Sequence, residues 1–160
     1  MKIEDVLKED CILDNLQASS REEALTIMSN MLLSMGYVKE SFPEAILERE
    51  RHYPSGLPME GHKIAIPHTD AEHVHKSVIL FARLSQPLEF ASMGDPDEII
   101  QVSLISMFAL AEKKDIGKML EVLINAYSNN DVLEAILKAP SAKAIFDILN
   151  QSVGVTMSES

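Results

Sequence analysis

The sequence predicts one α/β domain, a central mixed β-sheet flanked by helices. Three observations lead there. Two segments repeat apolar residues at helical spacing: Ala24, Ile27, Met28, Met31, Leu32 and Met35, then Ile116, Met119, Leu120, Leu123, Ile124 and Tyr127. Segments 77–84 and 99–108 are apolar runs of the kind found in strands buried on both faces. Helical and strand segments intermix along 160 residues, a length that suits a single core.

Taken in order, residues 1–18 are mixed, with Ile12, Leu13 and Leu16 as core contacts. Ser19 and Ser20 precede Glu22 and Glu23 in a capping-box pattern that opens the first clear helix, and Gly36 closes it. Ser41 and Glu44 repeat the box, with Pro43 tolerated in the first turn, for a helix over 42–52. Pro54, Gly56, Pro58 and Gly61 break the chain into a loop. Lys63-Ile64-Ala65-Ile66 reads as a short strand ended by Pro67, and Gly94-Asp95-Pro96 as a turn between the two apolar strands. After the helix around Ile116–Tyr127, two shorter helices, 130–138 and 141–150, are split by Pro140. The domain is expected over 1–152, with 153–160 a flexible C-terminal tail.

Composition narrows the function. The net charge is −11, with 46% hydrophobic and 24% charged residues. Such a mix argues against long disorder, and the chain lacks the basic patch that a nucleic-acid backbone demands. The longest apolar runs, Val78–Ala82 and Met107–Ala111, are far short of a membrane span. Met1-Lys2-Ile3-Glu4-Asp5 turns acidic at once, unlike a signal peptide. The lone Cys11 cannot form an internal disulfide, which fits a reducing compartment. A cytoplasmic domain is expected.

The chemistry concentrates in GLPMEGHKIAIPHTDAEHVHKS, which holds His62, His68, His73 and His75. His68 follows a proline at the end of a rigid apolar strand, at the sheet rim where α/β proteins commonly bind ligands. Neutral imidazole there is nucleophilic near neutral pH and can take a phosphoryl group. His68, Asp70, Glu72, His73 and His75 are also all metal-ligand types, although HTDAEHVH matches neither HExxH nor a Cys-His pattern.

The string Ala65-Ile66-Pro67-His68 after Gly61 and Ile64 resembles the active-site motif of enzyme IIA domains, fructose–mannitol class, of the bacterial phosphoenolpyruvate-dependent sugar phosphotransferase system. YPSGLP…IAIPHTDAEHV resembles the galactitol-specific branch, and Leu47-Glu48-Arg49-Glu50 is similar to the helix that precedes the motif. The resemblance covers about residues 3–150 and implies the mannitol/fructose-like enzyme IIA fold. It implies that His68 accepts phosphate from the phosphocarrier protein HPr and passes it to an enzyme IIB partner. The membrane is met only indirectly, through the IIC permease, and no cofactor or metal is implied.

The same resemblance makes Arg49 the residue that neutralises phosphate oxygens, a role its bidentate guanidinium suits; otherwise Arg49 is a solvated charge beside Glu48 and Glu50. Many members of the mannitol and fructose types carry a second active-site histidine where this chain reads Lys113-Lys114-Asp115-Ile116-Gly117-Lys118. A lysine, His73 or helix N-terminal N–H groups would have to replace it. Thr69 stands where those types have a small residue, and its hydroxyl can donate to a phosphate oxygen. Asp70 is a candidate to hold one imidazole nitrogen, and equally to cap the loop. His73 is a candidate phosphoryl hydrogen-bond donor; His52, His62 and His75 read as solvated. Leu57, Pro58, Met59 and Phe108 are candidates for an apolar ring that shields a phosphohistidine. Two other readings stay open: a regulatory IIA-like protein whose phosphorylation state controls a partner, and a metal-binding module on His68–His75.

Overall fold

The two central apolar runs fold into one long antiparallel hairpin around which the other elements assemble. The computed structural model describes residues 1–159. In chain order these form α1 (Ile3–Val6), β1 (Leu7–Leu16), α2 (Arg21–Ser34), α3 (Phe42–His52), β2 (Ile64–Ala65), a 3-10 turn (Ala71–His73), β3 (Val78–Ser92), β4 (Asp95–Ala109), α4 (Lys113–Tyr127), α5 (Asn130–Lys138) and α6 (Ala142–Glu159). The sheet order is β1-β3-β4-β2. β3 and β4 are antiparallel, while β1 joins β3 and β2 joins β4 in parallel, so the sheet is mixed as expected.

Both faces of the hairpin are covered, which is why its strands read as unbroken apolar runs. Leu80 and Ala82 pack with Leu25, Met28, Leu32, Phe42 and Ile46 of α2 and α3. Their neighbours Ile79 and Phe81 point the other way, onto Met119, Leu123, Ile145 and Leu149 of α4 and α6. The strands run further than the expected 77–84 and 99–108. Leu88 and Phe90 extend the buried stripe beyond a register irregularity between Arg83 and Leu88, where Pro87 is tolerated. Gly94, with φ +87°, makes the turn.

Three expectations are corrected. First, β1 occupies part of the segment read as mixed. Its Lys8-Glu9-Asp10 stretch lies between the separated pairings Leu7–Ile79 and Ile12–Phe81 at the sheet edge, so no clean alternation marks it. Second, Ser20 caps α2, its Oγ accepting from Glu23 N at 3.1 Å, but Ser41 makes no side-chain cap on α3. Third, the expected tail is helical over 153–159: α6 continues through Glu159, with Val153 1% exposed. Gly154 serves close packing there, since a Cβ would lie 3.2 Å from Ile3 Cγ2; Ser160 lies outside the described residues. Among the described residues no helix is long and apolar enough to cross a membrane.

Candidate active site around His68

β2 is only two residues long, yet its end is tightly held. Ile64 and Ala65 pair with Leu104 and Ile105, and beyond them Phe108 N donates to Pro67 O at 3.1 Å. This clamps the chain on both sides of Ile66. His68 follows, its ring stacked on Phe108 with centroids 4.5 Å apart and planes at 16°. The expected open imidazole is therefore largely covered: His68 is 8% exposed.

His68 Nδ1 lies 3.0 Å from the Ile66 carbonyl. A carbonyl only accepts, so Nδ1 carries the hydrogen and Nε2 carries the lone pair. Nε2 is not among the buried unpartnered side-chain atoms of the described residues, of which Ser152 Oγ is the sole example. Burial lowers the His68 pKa below the ordinary imidazole value. The charge of Arg49 lowers it further, while the Ile66 hydrogen bond and Asp70 oppose the shift. The product is a neutral imidazole of fixed tautomer with Nε2 as its nucleophilic atom.

Arg49, near the end of α3, is the cation whose charge is felt at this ring. Its Nη1 is 3.8 Å from Asp70 Oδ1, and its guanidinium sits 5.1 Å from the Tyr53 ring centroid. Half-exposed and loosely paired, it is free to exchange Asp70 for an incoming anion. Asp70 stands at the start of the 3-10 turn without a side-chain cap. The tautomer of His68 is set by the Ile66 carbonyl and not by Asp70. Thr69 is 5% exposed. His73 is committed elsewhere: its Nδ1 bonds Ser41 Oγ at 2.8 Å.

The other histidines separate from this group. His62 is not simply solvated, because its Nε2 bonds the Glu134 carboxylate and its backbone N donates to Asn130 Oδ1 at 3.0 Å. His52 Nε2 bonds Glu48 at 2.8 Å. No set of three or more His, Cys, Asp or Glu side chains among the described residues converges as a metal site, so the spacing of 68–75 does not become a ligand cluster. Lys113 and Lys114 are exposed at the start of α4. Leu57 and Phe108 share one buried apolar cluster with Ile64 and Ile66, and Met59 packs partly against it.

Glu50 escaped the sequence reading. It is 8% exposed and accepts from Ser55 N at 2.8 Å and Ser55 Oγ at 2.7 Å. The signal was present: Phe42, Ile46 and Glu50 recur every four residues along one helix face, so a carboxylate occupies a core stripe.

A mixed α/β sheet that presents a neutral, aromatic-backed histidine at a strand end, with an arginine nearby, has the makings of a nucleophilic histidine site. A family model described as "Phosphoenolpyruvate-dependent sugar phosphotransferase system, EIIA 2" matches residues 5–152. The chain belongs to this family, whose members are phosphotransferase components that carry phosphohistidine. It is 31% identical over 123 residues to the galactitol-specific EIIA component of Escherichia coli K12, covering 77% of this chain and 81% of that one. It is 28% identical over 151 residues to a nitrogen regulatory protein of Bradyrhizobium diazoefficiens, covering 93% and 95%. The fold is shared with the enzyme IIA mannitol chain solved in complex with phosphorylated enzyme IIB mannitol from Escherichia coli, at TM-score 0.75 and 24% identity over 91% and 99% of the two chains.

Proposed function

We propose that His68 is the phosphoryl acceptor, taking the group from phospho-HPr and passing it to an enzyme IIB partner for uptake of galactitol or a related polyol. The observation that carries this is the Nδ1–Ile66 hydrogen bond, which leaves the Nε2 lone pair as the attacking atom. In the forward step the Nε2–P bond forms as the donor's N–P bond breaks, and that electron pair returns to the donor imidazole. No proton moves: Nδ1–H stays on the Ile66 carbonyl, which stabilises the positive charge that phosphorylation brings to the ring. Positioning and charge stabilisation do most of the work in such a transfer. Arg49 leaves Asp70 to meet the equatorial oxygens, and Thr69 Oγ1 is a second donor. The second transfer repeats the first in reverse, with the acceptor on the IIB protein.

The IIB partner is supported by the fold shared with an enzyme IIA chain solved in such a complex. The galactitol assignment is supported by the E. coli relative and by the SGLP…IAIPHTD string. The Bradyrhizobium relative favours a second reading, in which the same phosphohistidine reports to a regulated partner. Incubation with phosphoenolpyruvate, enzyme I and HPr, followed by intact mass, is expected to show one added phosphoryl group on the chain and none on H68Q. Label on the same peptide of H68Q would show that another residue is the acceptor. A IIB protein of the galactitol type that drains the label separates the transport role from the regulatory one.

A further inference from the structure

The carbonyl that fixes the His68 tautomer belongs to Ile66, and the Ile66 backbone is itself anchored. Ile66 N donates to Ser55 O at 3.1 Å. Ser55 is in turn held at two points by one carboxylate, with its N–H on Glu50 Oε2 at 2.8 Å and its Oγ on Glu50 Oε1 at 2.7 Å. The next residue is wedged. Gly56 N donates to Ala91 O at 3.2 Å and Gly56 O accepts from Met93 N at 2.7 Å. A Cβ on Gly56 would fall 2.7 Å from Ala91 O and 2.8 Å from Ile100 Cδ1. The loop after α3 therefore acts as a strut between that helix and the strand that presents His68.

Resting on the assignment of His68 as acceptor, we infer that Glu50 is a positioning residue for the phosphoryl-transfer reaction, acting through Ser55 and Ile66 to hold His68 in its Nδ1–H tautomer. The coupling is mechanical. The Ser55 N–H and the Ser55 C=O belong to different peptide groups, as do those of Ile66, so no polarisation runs directly along the chain of bonds. What is transmitted is place: each link fixes a backbone whose other polar group makes the next link. Burial of a carboxylate costs stability, and burial does raise the Glu50 pKa against the pull of the Ser55 hydrogen bonds, Arg21 and Arg49. A chain that merely needed a filled helix stripe would be served by leucine or methionine at this position.

The test uses E50M, which keeps side-chain bulk and removes both acceptors, and S55A, which removes only the hydroxyl link. The readouts are ring 15N shifts of His68, which report the tautomer in the free protein, and the phosphorylation rate from phospho-HPr. Wild type is expected to show one tautomer with the hydrogen on Nδ1. E50M is expected to show a mixture of tautomers and a rate about 10-fold lower at saturating phospho-HPr, with S55A moving the same way by less. E50Q, which retains an acceptor for the Ser55 N–H, is expected to fall between wild type and E50M. Where E50M fails to fold, S55A decides. Folded variants with wild-type ring shifts and rates would overturn the inference. A tautomer change in variants of a protein that never takes a phosphoryl group on His68 would instead uphold the strut and remove the assigned function.

Discussion

His62 and His68 flank the same short strand, and their ring nitrogens are partnered in opposite ways. The Nε2 of His62 is occupied by the Glu134 carboxylate, in a pair that is more than a third exposed on both sides. The Nε2 of His68 is left open, because a backbone carbonyl takes the opposite nitrogen and Phe108 covers one ring face. A carboxylate partner makes a histidine a surface tie. A carbonyl partner within an apolar wall makes it neutral, single in tautomer and ready to attack. The difference lies in the partner and the burial, and not in distance from the strand.

Uncovering His68 should strip away what sets it apart. F108A removes the ring beneath the imidazole and a fully buried core side chain. It is expected to cost about 3–5 kcal/mol in denaturant unfolding and to raise the His68 pKa toward the ordinary value in an NMR titration. An unchanged titration in a folded F108A protein would assign the shift to something other than burial against Phe108. R49A leaves His68 in place and removes the cation proposed to meet the phosphoryl oxygens. Its phosphorylation rate is expected to fall about 100-fold, with R49K in between because an ammonium lacks the bidentate fork. An R49A rate equal to wild type would leave Arg49 a surface cation paired to Asp70.

The candidate site was legible in His68 and less so in the groups that hold it. Pro67 after an apolar strand marks His68, because both features are side-chain signals. The partner that sets its tautomer is the Ile66 backbone, and a carbonyl leaves no trace in a sequence. Asp70 was the visible alternative for that role and the structure gives it to neither ring nitrogen. Glu50 was visible as a charge on the Phe42–Ile46 stripe but is masked by standing beside Arg49, where a surface ion pair is the simpler reading. The same division runs through the fold. α2 and α4 announce themselves by period, whereas β1 is an acidic edge strand with broken register. The end of α6 reads as a tail because its Gly and Ser residues lack a helical period, yet Gly154 is the place where α1 comes close.

Proton linkage sharpens the same contrast without touching the reaction. The folded-state pKa of His68 lies below its unfolded value, so the unfolded chain binds the extra proton first. Stability is therefore lost as pH falls below about 6.5, the ordinary histidine value, and the loss is complete once pH passes below the folded pKa. Comparison with H68Q cancels the contributions of other groups. The stability advantage of wild type over H68Q, measured by urea unfolding at each pH, is expected to shrink between pH 7 and pH 5. An advantage that stayed constant would mean that His68 titrates alike in both states.

The smallest effect belongs to the other histidine. H62Q deletes one bond to Glu134, whose carboxyl is held below its usual range first by Lys138 and only then by His62. The loop keeps its backbone tie from the N–H of residue 62 to Asn130 Oδ1, which glutamine preserves. Gly61, at φ +82° and pressed against Asn130, keeps its place as well. The phosphorylation rate of H62Q is therefore expected to lie within about twofold of wild type. A larger drop would mean that the α5 contact reaches His68 through β2, and that the two histidines are one mechanical unit whose separate roles cannot be read from their partners alone.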